Sequence, residues 1–567
     1  IESVEAALQG AADILAEETA DDPAIRELAR KFLYSKGELV VKGESQEATP
    51  YEIYYDYREP VRTVPPHRIL AINRGEKEEV LKVRLESPEE ELIQQITRRL
   101  VTNPKSLGAA VYAGAIADGV QRLLLPSLER EIRNDLTEKG EEQAIRVFAK
   151  NLRSLLLQPP IRGQVVLAID PGFRTGSKLA VVDETGKMLE VGVIFPHPPH
   201  QKKAEAEEEL LRLINKWQVN IVAVGNGTAS RETERFVSEL IRKHSLNVKY
   251  TIVNEAGASV YSASPLAGEE FPGLDLSYRS GISLARRLQD PLAELVKIEP
   301  KSLGVGQYQH DVNPKRLQQS LAAVVESCVN TVGVELNTAS PSLVQYVAGL
   351  NSAVAKAIVA RRESQGKFTS REELLQVSRL GPATFKQCAG FIRIAEGSNP
   401  LDNTPVHPES YPAAVALLEE IGFSLGDLRT QPERIRKALE GLEDLSQLAG
   451  KLAVGLPTLK DIIEALKRPG RDPREDLPPV LLRQDVLSLD DLQQGMVLMG
   501  TVRNVVDFGA FVDIGVGQDG LVHISEISEK YVKHPLKVLA VGDIVKVAVL
   551  GVDKERGRIS LTMKDVK

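Results

Sequence analysis

Residues 495–504 read GMVLMGTVRN, and the same grammar continues in GAFVDI (509–514), GLVHI (520–524), Ile544–Asp553 and Arg558–Met563. Apolar and polar residues alternate within each stretch, and glycines and acidic turns divide them, which predicts five short half-buried strands. Five strands in about 70 residues make a small closed barrel. Phe508, Phe511 and His523 fall on or beside the face made by its second and third strands. A flat ring there stacks on any base, worth about 1–3 kcal/mol each, without reading sequence. The competing reading seals Phe508 and Phe511 inside as barrel filling. Ten Lys/Arg stand against nine Asp/Glu in 495–567, so placement rather than bulk charge must carry binding. Arg503, Arg556, Arg558 and Lys564 are the candidates to follow phosphates.

That barrel has the size of an OB-fold, and VRNVVDFGAFVDIG, DGLVHISEIS, GDIVKVAVLGVD and GRISLTMK resemble the S1-type RNA-binding domain along its whole length. The resemblance implies an RNA-contacting patch of Phe508, Phe511, His523, Asp553 and Arg558.

Working outward, Leu343–Ala348, Gly349-Leu350-Asn351 and Ala353–Arg362 read as helix, tight turn, helix, and Leu374–Ser378, Leu380-Gly381-Pro382-Ala383 and Thr384–Ile392 repeat the plan. The pair resembles the helix–hairpin–helix family. Glycine permits the turn, and free amides at the second helix's start bind phosphate without reading bases. Gly349, Leu350, Lys356, Gly381 and Lys386 are the expected contacts, with Arg361, Arg362 and Lys367 nearby. Residues 336–397 hold eight basic and four acidic side chains. The competing reading is an ordinary packing motif.

The segment AIDPGFRTGSKLAVVDETGKML (168–189) ends an apolar run in Asp170 and continues as a meander. Strands and helices then alternate to Asn254, a βββαβαβ order for an α/β sheet. It resembles the YqgF-like branch of the ribonuclease H-like fold, whose nucleases clamp two metal ions with several carboxylates. The expected second acid is absent from Val224-Gly225-Asn226-Gly227-Thr228. Two readings stand: a metal-dependent nuclease or resolvase using Asp170, Glu255 and Asp290, or, favoured, a retired nuclease fold kept as scaffold, with no metal and no cofactor. His197, His200, His310, Ser259, Ser264 and the Gly304-Val305-Gly306 fragment lack the context of a metal, nucleophile or phosphate site.

The whole chain has 567 residues, 42% hydrophobic and 26% charged, with net charge −8. That length predicts several domains. The acidic balance excludes a globally basic coat, not a local patch. Two distant cysteines, Cys328 and Cys388, exclude a disulfide framework and paired-cysteine zinc sites, and fit a reducing compartment. No apolar run approaches a membrane span, and the start is neither a signal peptide nor a methionine, so a processed or truncated chain is expected. The domains expected are a helical amino-terminal region (1–160), the YqgF-like domain (161–279), a connector of long helices (280–335), tandem hairpins (336–397), a second helical or mixed domain with linker (398–490) and the barrel (491–567). In 1–160, helices are expected at 4–17, 89–100, 109–131 and 141–156, with a short strand ending at Leu85.

This order of domains resembles the bacterial Tex family of transcription accessory proteins. So do the strings PPHRILAINRGEKEE (65–79), NEAGASVYSASPLA (254–267), ARRLQDPLAELVKIEPKSLGVGQYQHDVN (285–313) and NPLDNTPVHPESY (399–411). Family members usually carry further amino-terminal sequence. The fold class expected is multi-domain and mainly α, with one α/β ribonuclease H-like domain, tandem helix–hairpin–helix units and a five-stranded OB-fold barrel. The resemblance implies nucleic-acid binding largely without sequence specificity and a role in transcription, and the expected protein is a cytoplasmic, monomeric transcription accessory factor that holds RNA or single-stranded DNA, with RNA polymerase or other transcription machinery as partner. Against it stand the nuclease and a pure assembly scaffold.

Overall fold

A computed structural model describes all residues except 1–2, 45–48, 307, 478–479, 481, 483–491, 517, 554–557, 565 and 567. Arg556 and Gln307 thus lie outside the described residues. The chain divides into two compact units, 1–147 with 306–317, and 148–305 with 318–567.

The first unit is helical around a small sheet. β1 (Glu38–Gly43) lies between β2 (Asp56–Pro60) and β3 (Leu81–Glu86), all antiparallel. Only β3 was legible as alternation, because β1 and β2 are flanked by aromatic, turn-rich sequence. The two helices expected at 109–131 and 141–156 are one run: Ala109–Asp118, a π-helical turn at Gly119–Leu124, and Leu125–Leu156. Gly140 looks like a stop in sequence but marks a close approach. A β-carbon there would lie 3.2 Å from Leu70 Cγ and from the Pro66 carbonyl oxygen.

The second unit begins with a five-stranded sheet of order β6-β5-β4-β7-β8: β4 (Val166–Asp170), β5 (Ser177–Val182), β6 (Met188–Ile194), β7 (Ile221–Gly225) and β8 (Lys249–Val253). β4 is parallel to β7, and β7 to β8, while the meander β4-β5-β6 is antiparallel. Alternation sends Leu167 and Ile169 to one face, against helices Lys203–Trp217 and Ser230–Lys243. Val166 and Ala168 face the other, against helix Leu276–Gln289. The long helices expected across 280–334 are broken. Pro291, Pro300 and Pro314 each open a new element, leaving the short helix Pro291–Leu295, a 3₁₀ turn at Pro300–Leu303 and the longer helix Pro314–Val332.

The hairpin region is tied at its ends by the parallel pair β9 (Val334–Glu335) and β10 (Ile392–Arg393). Arg371 is 0% exposed. Its guanidinium donates to the carbonyls of Ile392, Thr404 and Val406 and to the Tyr411 hydroxyl at 2.5–3.0 Å. One planar fork thus joins the hairpins to the segment that follows them.

The barrel closes in the order β11-β12-β13-β15-β14. Its strands are β11 (Val497–Val506), β12 (Gly509–Asp513), β13 (Asp519–His523), β14 (Ile544–Asp553) and β15 (Arg558–Thr562). Val502, Val505, Ala510, Val512, Val522, Val547, Val549, Ile559 and Leu561 are buried. At Gly509 a β-carbon would stand 2.3 Å from the Val522 carbonyl oxygen, a backbone atom that cannot swing away. Gly509→Ala is expected to destabilise the barrel by about 3 kcal/mol, the upper range for overpacking. Loss of amide hydrogen-exchange protection confined to 497–562 checks this, and unchanged protection refutes it.

Candidate nucleic-acid interface

On β12, Ala510 and Val512 point inward, so Phe511 points outward and is half-buried. Cross-strand register sets Phe511 between Asn504 and Leu521, and Leu521 beside Ser560. Phe508, in the turn before β12, meets Phe511 edge to face, with centroids 6.2 Å apart and planes at 87°. Of the two readings of these rings, the outward one has the support that aliphatic side chains fill the inside and both rings are only partly buried.

His523 is exposed and stands opposite Gly509, which has no side chain to cover it. Its Nδ1 accepts the Ser525 amide at 3.3 Å and lies 2.9 Å from the Ser525 hydroxyl. The neutral ring therefore carries its proton on Nε2, turned away from those contacts. Lys564 follows β15 at the same end, since the Met563 amide bonds to the Glu526 carbonyl. Arg558 and Asp553 are exposed and register with each other. The pairing of Gly520 with Ile559 puts them at the Asp519 end of β13, about 13 Å of strand from His523.

Arg503, expected on the phosphate path, is spent elsewhere. It donates to Asp513 at 2.6 Å and to the Ile252 carbonyl at 3.2 Å, fastening the barrel to the edge strand β8. Asn151 adds a second fastening, donating to Asn504 Oδ1 and to the Val505 and Val305 carbonyls.

In the hairpins, Val347-Ala348-Gly349-Leu350-Asn351 and Val377-Ser378-Arg379-Leu380-Gly381 follow the same plan. Gly349 (φ +80°) and Arg379 (φ +68°) are left-handed. The Leu350 and Leu380 amides bond back to the Val347 and Val377 carbonyls. Asn351 and Gly381 are the N-caps of helices Ser352–Gln365 and Pro382–Cys388. Gly381 is thus not the turn residue the sequence suggested. Its φ is −89°, and the left-handed position belongs to Arg379. Nor are the first helix's amides free, because Asn351 Oδ1 accepts from Ala353 and Val354.

Of the bases named there, Arg361 pairs with Glu373 and lies 4.3 Å over the Phe368 ring. Arg362 donates to the Leu336 and Ala339 carbonyls. Lys367 pairs with Glu396 and Lys386 with Glu409. Lys356 and Arg379 are exposed and carry no ion pair among the described residues.

A third hairpin was missed in 398–490. Ala453 (φ +52°), Val454 and the N-cap Gly455 lead into helix Leu456–Lys467. The signal was Val454-Gly455-Leu456-Pro457, close to Leu380-Gly381-Pro382. In all three units a lysine stands five residues after the N-cap: Lys356, Lys386 and Lys460.

At the sheet's acid tip, Ser280 donates to Asp170, whose carboxyl burial pushes up above the usual range. Glu255 is also raised, by burial first and then by the charge of Asp170. Its Oε2 is buried without a hydrogen-bond partner among the described residues. The glycines after β7 make the room for it: a β-carbon on Gly227 would lie 1.8 Å from Glu255 Oε1. Asn226 accepts the Glu255 amide at 2.9 Å, so it braces the loop and is no substitute acid. Asp290, expected as a third ligand, does not join the pair. It caps helix Pro291–Leu295 and takes Arg474 at 2.7 Å, within a network that runs through Asp472 to Arg162. Among the described residues no group of three or more His, Cys, Asp or Glu could hold a metal ion. His197, buried, bonds to Thr233. Among the described residues no helix is long and apolar enough to cross a membrane.

Family models match five stretches: Tex central region-like over 1–148, Tex protein YqgF-like domain over 164–289, helix-hairpin-helix motif over 329–393, HHH domain over 399–474 and S1 RNA binding domain over 491–564. Over 563 residues the chain is 53% identical to the uncharacterized protein YdcI of Bacillus subtilis, covering 99% of this chain and 78% of that one. It is 46% identical to the transcriptional accessory protein Tex of Neisseria gonorrhoeae, covering 100% and 74%. It is 38% identical to the S1 RNA-binding domain-containing protein 1 of Homo sapiens, covering 92% and 59%.

The raised carboxyls give a signed prediction. With its pKa higher folded than unfolded, each carboxyl makes the native state bind more protons, so stability falls as pH rises from the unfolded carboxylate range through the folded value. Glu255→Gln and Asp170→Asn are expected to raise the melting temperature at pH 7–8, with the gain shrinking towards pH 4. Melting curves across pH check the sign. A loss of stability at pH 8 would overturn it, as would a magnesium-dependent rise in the unaltered chain that Asp170→Asn abolishes.

Proposed function

The chain belongs to the Tex family of transcription accessory proteins, and from that premise we propose that it holds RNA or single-stranded DNA largely without sequence specificity, mainly on the barrel. The observation that carries this is the outward pair Phe508–Phe511 beside His523, over an interior already filled by aliphatic side chains. Two rings at an edge-to-face angle offer one base a face and its neighbour an edge, while the His523 Nε2–H donates to whichever oxygen passes. Lys564 at that end, and Arg558 at the other, supply charge for the backbone. Because no contact selects a base edge, affinity is insensitive to sequence and falls with salt as counterions are released.

The hairpins are secondary contacts in this proposal, through Gly349, Leu350 and Lys356 of the first unit, Arg379, Gly381 and Lys386 of the second, and Lys460 of the third. The YqgF-like sheet is a scaffold to which Arg503 fastens the barrel. With Asp290 committed to Arg474, the nuclease reading keeps only Asp170 and Glu255, fewer carboxylates than a two-ion site needs. Monomeric action in the cytoplasm, in contact with RNA polymerase or other transcription machinery, belongs to the same proposal and rests on family membership alone.

Replacing Phe508 and Phe511 together with alanine is expected to weaken RNA binding more than about tenfold, the worth of one good stack, while the barrel stays folded. Anisotropy titration with circular dichroism on the same samples checks both halves, and unchanged affinity refutes the barrel as the main contact. Arg379→Gly separates stability from binding. Relief of a left-handed arginine is expected to stabilise the chain by up to about 1 kcal/mol, while removal of an exposed guanidinium weakens nucleic-acid binding and lowers its salt dependence. Equal affinity and salt slope in the variant would remove the second hairpin from the interface.

A further inference from the structure

The loop between β13 and β14 carries a cluster that the barrel patch does not include. Tyr531 is 92% exposed, an aromatic ring that packs against almost nothing. Lys530, Lys533 and Lys537 are exposed around it, and none has an ion-pair partner among the described residues. Across 528–538 the sole acid is Glu529. Elsewhere on this acidic chain exposed bases are commonly paired, as Lys386 and Lys367 are.

The loop is also held in place. Pro535 and Leu536 are buried. His534 Nδ1 accepts the Leu536 amide at 3.1 Å, which leaves the proton on Nε2, and Nε2 lies 2.5 Å from Asp507 Oδ1. Asp507 immediately precedes Phe508. The anchor therefore pins the loop beside the turn that carries the first platform ring, and three residues put Tyr531 within about 10 Å of chain from that anchor.

We propose that this loop is a second nucleic-acid contact, in which Tyr531 stacks a further unpaired base and Lys530, Lys533 and Lys537 hold the phosphates of the strand leaving Phe508. The inference rests on the barrel face as the RNA platform and extends it along the strand. The combination selects the occupant. An acidic peptide or a duplex uses the lysines but has no exposed base for the ring, whereas a single strand uses both.

The test uses the full chain with fluorescein-labelled oligouridylates of about 4 and about 12 nucleotides, near the limits of one OB-fold's site. Tyr531→Ala is expected to weaken the longer oligomer at least about fivefold and leave the shorter one unchanged, and Tyr531→Phe to bind as the unaltered chain does. Lys530→Ala with Lys533→Ala is expected to lower the slope of log affinity against log salt by about 1.4 for the longer oligomer. Unchanged affinity of Tyr531→Ala for the longer oligomer overturns the proposal. If Phe511→Ala then still abolishes binding, the platform stands and the extension alone has failed. If Phe511→Ala is also without effect, the platform reading fails with it. A loss on lysine removal without any loss in Tyr531→Ala points to a purely electrostatic partner and likewise overturns the stacking.

Discussion

A charge taken out of water must find an opposite charge or a ring of dipoles, and this requirement sorts the charged residues into those that build the protein and those left for a ligand. Arg371 is met by three carbonyls and a hydroxyl, and Arg474 by two carboxylates at 2% exposure. Arg503, Arg361 and Arg362 are consumed in the same way. Among the exposed bases that no ion pair consumes are Arg558 on the barrel, Lys356 and Arg379 at the hairpins, and the lysines around Tyr531. The proposed interface draws mainly on bases that structural pairing leaves over.

The same requirement bears on the acid tip of the sheet. Asp170 and Glu255 are both half-buried, and although Ser280 and Lys178 help the first and a Gly227 amide and Arg287 the second, burial leaves both leaning towards their protonated forms. Asp290 is drawn off by Arg474, a residue 184 positions away that no local pattern connects to it. Asp290 is thus held by a distant arginine rather than by the sheet tip, and the loop after β7 carries Asn226 rather than an acid. The domain still holds the barrel, because its edge strand supplies the Ile252 carbonyl that takes Arg503.

The hairpins show how one backbone shape can be reached by different residues. Gly349, Arg379 and Ala453 each hold a left-handed position two residues before a helix N-cap. Only the first is glycine, so a search for apolar–glycine–apolar aligns Gly349 with Gly381 and shifts the second turn by two residues. A non-glycine residue held in that region costs of order 1 kcal/mol, which the surrounding helices sustain. At Arg379 the side chain retained at that cost is an exposed guanidinium.

Sequence by itself determined the elements whose pattern is local. Alternation and turn glycines delimit the five barrel strands to within two residues, the apolar run ending in Asp170 marks the meander, and the spacing around Gly349 marks the first hairpin. Tertiary structure alone decided what depends on long-range company. That Phe508 and Phe511 face outward follows from which side the valines fill. That Gly140 continues a helix follows from Leu70 lying against it. That Arg503 and Asp290 are structural follows from Asp513, Ile252 and Arg474 reaching them. Periodicity is written in neighbouring residues, but the pairing of a charge is settled by whichever distant group the folded chain brings within hydrogen-bond reach.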